Sequence, residues 1–364
     1  MPKAFEFQAL NPELANAAVK HRNCARTAVT QVRMNVWKAL QSGTARERAV
    51  WARIDRLGIP KLTCIEVCCG SNSWLASHIN RSGGHSMRIL WPPPCNKGRH
   101  GDPRRMSAEQ KARTEARRRA KPRKPPPLHS KGRRPRNWYL NMQWETHQKA
   151  FLHYCRKLKP VKGTAGLLFH TSPMCRMFAA PQRLAHSKGN FNNEEHEIAL
   201  QTLGAIRKAH RAVRNASKRF RYVLVPTHEQ PPAATVDVTK PYDRQADWPW
   251  AIAPGTQRTT VNGCMVGVRS GGLPVFKGWV FECPHTIFAS ALGTFMCDRT
   301  HEHAQSKLNT KRKHTPAAHG HARAAAEPGF SVKDFEQYPG LLAMLLEQAA
   351  GYTVALKRLK LRPS

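Results

Sequence analysis

A cysteine that directly follows a buried strand is the first residue in this chain whose position suggests chemistry. The apolar run Leu167–Phe169 predicts the strand, and a polar turn, Ser172-Pro173-Met174, leads to Cys175. Open α/β sheets bind their ligands at the carboxyl ends of strands, which is where this thiol would lie. A thiolate in that place can act as a nucleophile. The alternative is a structural cysteine packed at a loop, because unpaired cysteines are among the most buried residues.

A second segment combines an acidic strand with a glycine loop. Residues 61–73, KLTCIEVCCGSNS, predict a buried parallel strand that contains Glu66 and ends in a loop at Gly70. A helix, Trp74–Ser82, and a further strand, His85–Trp91, follow. The glycine lets a ligand approach the backbone, and the start of the helix offers free N–H groups. This pattern is typical of nucleotide-binding loops, although many α/β proteins contain it without that role.

Helices alternate with apolar strands through the middle of the chain. A helix at 144–158 precedes the strand at Leu167, a helix at 192–218 follows it, and the strand Arg221–Val225 comes next. Glu229 lies in the polar segment after that strand. Alternation of this kind indicates an α/β fold with a doubly wound, mostly parallel sheet.

The charge of the chain indicates a polyanionic partner. The 364 residues include 60 Lys and Arg against 23 Asp and Glu, a formal net charge of +37. Nucleic acid is favoured over an anionic membrane surface, although charge does not distinguish DNA from RNA. No run of about 18 apolar residues predicts a membrane span, and the N-terminus lacks the apolar core of a secretory signal. We expect an intracellular protein, nuclear if its source is eukaryotic, whose cysteines are thiols or metal ligands rather than disulfides.

A group of cysteine and histidine residues predicts a metal site. Cys297, His301 and His303 lie within seven residues, and either Cys264 or Cys283 can complete four ligands. Thiolate and imidazole are the ligands of structural zinc sites. The spacing matches no strict zinc-finger rule, and a histidine-rich turn without metal is the alternative.

Changes in composition divide the chain into segments. In chain order they are a basic helical arm (1–60), an α/β core (61–96 and 137–240) interrupted by a basic insert (97–136), a small Cys/His module (241–305), a flexible linker (306–329) and a C-terminal helix (330–364). Within the arm, Thr44 can cap a helix over Ala45–Leu57. The insert holds 16 Lys or Arg, three Asp or Glu and almost no large apolar residue. This composition predicts disorder and a phosphate-binding role, and a solvated linker without function is the alternative.

Three predicted strand ends carry a resemblance to a known family. In order, IEVCCGSNS, LLFHTSPMC and YVLVPTHEQP resemble the class I S-adenosylmethionine-dependent methyltransferases and, among these, the DNA cytosine-5 methyltransferases. The second half, with VNGCMVGVRSGGLPVFKGW, CDRTHEH and YPGLLAML, resembles a divergent subgroup found in phages, giant viruses and retroelement-rich protist genomes such as those of dinoflagellates. The resemblance covers roughly residues 61–95 and 137–350.

This resemblance implies a Rossmann-like methyltransferase core and assigns roles to individual residues. Cys175 is the expected nucleophile, and Glu229 is the expected acid. The expected S-adenosylmethionine site comes from the first and fourth strand ends: Glu66, Gly70, Ser71, Ser172 and Pro173. These residues meet only if the first, fourth and fifth strands are neighbours in a parallel sheet. Residues 241–305 would form a module for target recognition.

The chain departs from the family pattern at each motif. The proline of the family's Pro-Cys pair stands one place earlier, and Gln230 and Pro231 follow Glu229 where the family has Asn and Val. No acidic residue ends the second predicted strand. We therefore expect a DNA methyltransferase-like protein that has either retained or lost its methyl-transfer activity. The alternatives are a non-catalytic DNA- or RNA-binding protein of a mobile element on the same fold, and an RNA methyltransferase.

Overall fold

Seven α-helices and nine strands form in the part of the chain that the structure describes. This computed structural model describes residues 12–41, 43–69, 73–90, 107–109, 122–128, 135–142, 144–172, 193–230, 255–270, 273–301, 303 and 340–361. The helices are α1 (Pro12–Leu40), α2 (Ala45–Leu57), α3 (Trp74–Arg81), α4 (Glu145–Lys157), α5 (Asn193–Phe220), α6 (Thr286–Leu292) and α7 (Gly340–Leu361). The strands are β1 (Leu62–Cys69), β2 (His85–Leu90), β3 (Arg136–Tyr139), β4 (Gly166–Thr171), β5 (Val223–Gln230), β6 (Gln257–Asn262), β7 (Arg269–Ser270), β8 (Leu273–Pro274) and β9 (Gly278–Cys283).

Seven of these strands form one sheet in the order β3-β2-β1-β4-β5-β9-β6. Strands β3 to β5 pair in parallel, whereas β9 is antiparallel to both of its neighbours, so β6 runs parallel to β5. The prediction of a mostly parallel α/β sheet is confirmed, and β1, β4 and β5 are neighbours. The chain builds β2 and β3 on one side of β1 and then crosses to β4 on the other side. The strand order therefore reverses between β1 and β4.

Helices cover both faces of this sheet and create two buried cores. On one face, α4 and α5 place Phe151 and Val213 against Ile65 and Phe169. On the other face lie α1, α2, α3, α6 and α7, with a core that includes Val32, Ile54, Leu75, Phe288 and Leu345. The predicted basic arm, residues 1–60, thus contributes buried side chains from α1 and α2 to this second core.

Helix α2 forms where local sequence predicts it. The hydroxyl of Thr44 accepts a hydrogen bond from the Glu47 N–H at 3.1 Å, and the Glu47 carboxylate accepts one from the Thr44 N–H at 2.9 Å. These reciprocal bonds form a capping box. The predicted bounds of this helix, Ala45–Leu57, are confirmed.

Strand β5 is longer than the sequence predicts, because it continues through Pro226 to Gln230. Proline lacks the N–H that a central strand donates, so the sequence places the strand end before it. The ladder to β9 begins only at His228, and the carbonyl of Leu224 on that side accepts a hydrogen bond from His285 Nε2 at 2.9 Å. Pro226 is tolerated because strand pairing on this side starts beyond it. Glu229 consequently lies inside the strand rather than in a loop after it.

Two predicted segment boundaries differ from the structure. Residues 241–305 contribute β6 and β9 to the main sheet. Within the predicted insert 97–136, the Arg123 carbonyl accepts a hydrogen bond from Trp138 Nε1 at 2.9 Å, and Leu128 packs against the α4–α5 core. The prediction of disorder is therefore wrong for 122–128, because these contacts join that stretch to the core.

Other predicted segments fall largely outside the described residues. These are the remainder of the insert, apart from 107–109 and 135–136, the linker 306–329 and the first part of the predicted C-terminal segment, 330–339.

The close approach of α7 to the sheet depends on Gly166 at the start of β4. A Cβ at this position would lie 2.8 Å from the Val223 carbonyl oxygen and 2.9 Å from both methyl carbons of Val354. We expect Gly166→Ala to lower the free energy of unfolding by about 1–3 kcal/mol, because overpacking displaces backbone. Chemical denaturation measures this change.

Gly204→Ala on α5 is the matched control. No described atom outside its own helix backbone lies within 4 Å of the added Cβ. Alanine in a helix interior should raise the free energy of unfolding by about 0.5–1 kcal/mol. A Gly166→Ala variant as stable as the wild type would contradict the packing of α7.

Candidate metal centre and carboxyl edge of the sheet

The carboxyl ends of β1, β4 and β5 bring three predicted site residues to one edge of the sheet. The Ser172 N–H donates to the Val67 carbonyl of β1 at 3.0 Å, which fixes the residue after β4 to its neighbour. The Ser172 hydroxyl donates to the carboxylate of Glu229 on β5. Glu66 of β1 is near enough for the Glu229 charge to raise its pKa. The structure thus places Glu66, Ser172 and Glu229 together where the strand order reverses.

Glu66 is almost completely buried and holds the start of α3. Its carboxylate accepts hydrogen bonds from the Ser73 hydroxyl and from the Ala76 N–H, the latter at 3.1 Å. Burial raises the pKa of Glu66, while these hydrogen bonds and the Arg88 guanidinium act in the opposite direction. Both carboxylate oxygens are therefore engaged by α3. Glu66 thus ties β1 to the start of α3.

Four predicted site residues lie outside the described residues. They are Gly70, Ser71, Pro173 and Cys175. Gly70 and Ser71 belong to the connection from β1 to α3, and Pro173 and Cys175 belong to the connection from β4 to α5. Both connections leave the sheet at the reversal of strand order, and the roles of these residues stay predictions.

A buried group of histidine and threonine side chains lies beside this edge, and the sequence did not reveal it. On the α5 side, Thr171 Oγ1 lies 2.9 Å from His210 Nε2 and 2.8 Å from His228 Nδ1. On the other side, His170 Nδ1 lies 2.8 Å from Thr227 Oγ1. Burial lowers the pKa of His170 and of His210 to about 3 and also lowers that of His228. These neutral imidazoles tie β4, β5 and α5 together.

Glu282 on β9 is a further buried carboxylate near the same edge. Its Oε1 accepts hydrogen bonds from Arg258 Nε at 2.8 Å and from Gln230 Nε2 at 3.0 Å. In the part of the chain that the structure describes, neither Glu282 Oε2 nor Gln230 Oε1 has a hydrogen-bond partner. Burial raises the pKa of Glu282 to about 7, although the Arg258 charge lowers it in part. In the sequence, the only sign that Glu282 is unusual is its place within an otherwise apolar strand, Gly278–Cys283.

Four predicted metal ligands come together beyond β6. The ligand atoms of Cys264, Cys297, His301 and His303 all lie within 4.8 Å of one another. The Cys297 sulfur is 3.4 Å from His303 Nε2 and 3.8 Å from His301 Nε2. Two thiols and two imidazoles at these separations can hold a metal ion in tetrahedral geometry after small shifts.

Local structure explains how the ligands converge. Cys264 lies in a 3₁₀ turn, Gly263–Val266, that follows β6. The Cys297 N–H donates to Asn262 Oδ1 at 2.8 Å, which holds the second thiol at the end of the same strand. Arg299 adopts a positive φ of 64°, and this turn brings the two histidines back toward Cys297. Because β6 runs parallel to β5, the Cys/His group lies at the same edge of the sheet as Ser172 and Glu229.

Cys283 does not belong to this group. It ends β9 with its side chain buried in the core on the α7 face, where burial raises the pKa of its thiol to about 12. The expectation that Cys283 can complete the ligand set is therefore wrong, and Cys264 takes that place.

The chain matches no family model, no curated protein and no solved structure. No helix among the described residues is long and apolar enough to cross a membrane. Function must therefore be inferred from strand order and from the chemistry of the described side chains.

The Cys/His group predicts about one bound metal ion per purified chain. Cys297→Ser should lose the ion, because it removes a ligand, whereas Cys283→Ala should retain it. Metal analysis by mass spectrometry measures both, and chelation should lower the melting temperature of the wild type. If the purified wild type contains no metal and chelators do not change its melting temperature, these residues form a histidine-rich turn without metal.

Glu282 predicts a component of stability that decreases as the pH rises. Its pKa is about 7 in the folded protein, against an ordinary 4.5, so the folded state binds more protons between these values. The stabilisation is fully present below pH 4.5 and is lost as the pH rises to about 7. Glu282→Gln cannot titrate, so its stability relative to the wild type should rise by about 1–3 kcal/mol over this interval.

Denaturation at several pH values measures this difference. Glu145→Gln, which changes an exposed acid on α4, is the control and should show little change. A constant difference between Glu282→Gln and the wild type would contradict the raised pKa.

Proposed function

We propose that this protein is an S-adenosylmethionine-dependent, DNA cytosine-5 methyltransferase-like protein that binds nucleic acid. The strand order carries the proposal. The order β3-β2-β1-β4-β5 is that of doubly wound nucleotide-binding folds, and ligands of such folds bind where the order reverses. The antiparallel strand β9 lies between β5 and β6, an arrangement typical of class I methyltransferases. The segments with Gly70 and Cys175 both leave the sheet at that reversal.

An acid at this edge suits a cationic cofactor. S-adenosylmethionine carries a sulfonium and an ammonium group, and Glu66 lies here in a chain of net charge +37. Glu66 would hold the loop of Gly70 and Ser71 in place for the cofactor, and Ser172 would line the opposite side. When bound, the cofactor would supply an electrophilic methyl group.

The residues of the chain would prepare the cytosine for methylation. The Cys175 thiolate would add to carbon 6 of the base, which makes carbon 5 nucleophilic. The neighbouring Arg176 and the positive charge of the chain favour the thiolate. Glu229, as the acid, would protonate the ring nitrogen and stabilise the adduct. The base must leave the duplex to reach such a site.

Zinc is the ion that we infer for the Cys/His group. Two thiolates and two imidazoles form a common ligand set of structural zinc sites. The ion would tie the turn at Cys264 to the segment 297–303, beside the carboxyl edge. The surface of residues 255–303 would then stand next to the target base, which supports a role in target recognition.

Cofactor binding and covalent trapping test the proposal. Calorimetry should detect S-adenosylmethionine binding to the folded wild type, and an oligonucleotide with 5-fluorocytosine should form a covalent adduct in its presence. Cys175→Ser should abolish the adduct but retain nucleic-acid affinity, because only the nucleophile is removed. Cys24→Ser, which changes a thiol on α1, is the matched control and should still be trapped.

Each contrary outcome selects an alternative. Folded protein without affinity for the cofactor would favour the non-catalytic binding protein. A covalent adduct that still forms with Cys175→Ser would contradict the assignment of Cys175 as the nucleophile. Trapping on RNA strands but not on DNA strands would favour an RNA methyltransferase.

A further inference from the structure

The layer of α4 and α5 contains two long basic stretches without acids. Residues 146–165 and 198–222 contain twelve Lys or Arg and no Asp or Glu. The acids of this layer are confined to the starts of the two helices, at Glu145 and at residues 194–197. Glu145 is itself paired with Lys149 at 2.7 Å. No acid within these two stretches offsets their positive charge.

The basic side chains of this layer point outward. On α5, Lys208, Arg211 and Lys218 are exposed, whereas Ala209 and Val213 are buried against the sheet. Their spacing puts the three cations on one side of the helix. On and after α4, the exposed basic residues are Lys149, Arg156, Lys157, Lys159 and Lys162. Both helices pack on the same face of the sheet, so these cations share one surface.

A cleft continues this surface at the amino ends of β4 and β5. It has a volume of about 310 Å³ and is lined by residues 159–164 together with Phe220 and Tyr222. The Lys159 ammonium lies 4.0 Å from the centre of the Phe220 ring, and the Arg219 guanidinium lies 5.2 Å from it. Cation–π contacts of this kind hold the two charges at the mouth of the cleft.

In the opposite helical layer, α2 mixes basic and acidic residues. On the exposed side of α2, Arg46, Arg53 and Arg56 are also basic. However, the same helix carries Glu47 and Asp55, and Asp55 pairs with Arg33. Residues 14–46, in the opposite layer, also lack acids, but they hold six Lys or Arg in 33 residues, against twelve in the 45 residues of the two α4–α5 stretches. The number of cations therefore sets the α4–α5 layer apart.

We propose that the outer face of α4 and α5, with the cleft at Lys159 and Phe220, binds the sugar–phosphate backbone of duplex DNA. This surface is separate from the carboxyl edge, since β4 and β5 span about 20 Å from one edge of the sheet to the other. Phosphate contacts are independent of sequence and weaken with salt. The surface holds DNA to the protein whether or not the carboxyl edge transfers a methyl group, so loss of cofactor binding would leave it intact.

Salt-dependent binding of the full chain to duplex DNA tests the surface. A triple variant on α5 combines Lys208→Gln, Arg211→Gln and Lys218→Gln. It should bind duplex DNA about tenfold more weakly at low salt. Each lost phosphate contact should also reduce the slope of log K against log salt by about 0.9. The matched control removes the same charge from α2 and should change the slope much less; it combines Arg46→Gln, Arg53→Gln and Arg56→Gln. Fluorescence anisotropy at four or more salt concentrations gives both slopes.

Other outcomes would overturn the proposal. Equal slopes for the two triple variants would show that only total charge matters. An unchanged slope for the α5 variant would exclude phosphate contacts there. If polyglutamate bound as tightly as DNA, with the same loss in the α5 variant, the surface would fit an acidic protein instead. Unchanged melting temperatures of both variants serve as the folding control, since all six side chains are exposed.

Discussion

Parallel pairing of β1 with β4, and of β4 with β5, is the constraint on which the candidate site depends. It brings side chains up to 163 positions apart in sequence, Glu66 and Glu229, to one edge of one sheet. Hydrogen bonds outside the strand ladder also hold these strands together. Ser172 bridges β1 and β5 through its N–H and its hydroxyl, and Glu66 anchors the start of α3. Because Glu66 is buried, loss of its hydrogen bonds would leave an uncompensated carboxyl group and detach the start of α3 from β1.

The two ends of the sheet have different chemistry, and the proposed functions follow that division. The carboxyl edge carries acids, hydroxyls and the Cys/His group, which suit a cofactor, a base and a metal ion. The amino edge and the α4–α5 layer carry exposed cations, which suit phosphates. Contacts that hold a polyanion need not have the geometry of a catalytic site. The proposed DNA binding would therefore not require the motifs around Cys175 and Glu229 to match those of active methyltransferases.

Local signals in the sequence predicted the elements, and long-range contacts decided much of the site. The cap at Thr44 and the apolar periodicity of α5 are local properties, so these helices could be placed in advance. The sequence predicts that β5 ends before Pro226. The strand continues because β9 begins to pair with β5 only at His228, which the local sequence does not show. The choice between Cys264 and Cys283 depends on which thiol the turn at Arg299 reaches. The contacts of His210 with Thr171, and of Glu282 with Arg258, join separate elements and leave no pattern in the sequence.

Photochemical cross-linking of radiolabelled S-adenosylmethionine to the full chain tests the central claim most directly. Under the proposed function, the cofactor binds where the strand order reverses, between β1 and β4. Label should therefore appear in peptides that contain residues 62–81 or 166–180, and an excess of unlabelled cofactor should compete it away. Competable label confined to other peptides, or no competable label in folded protein, would contradict the account.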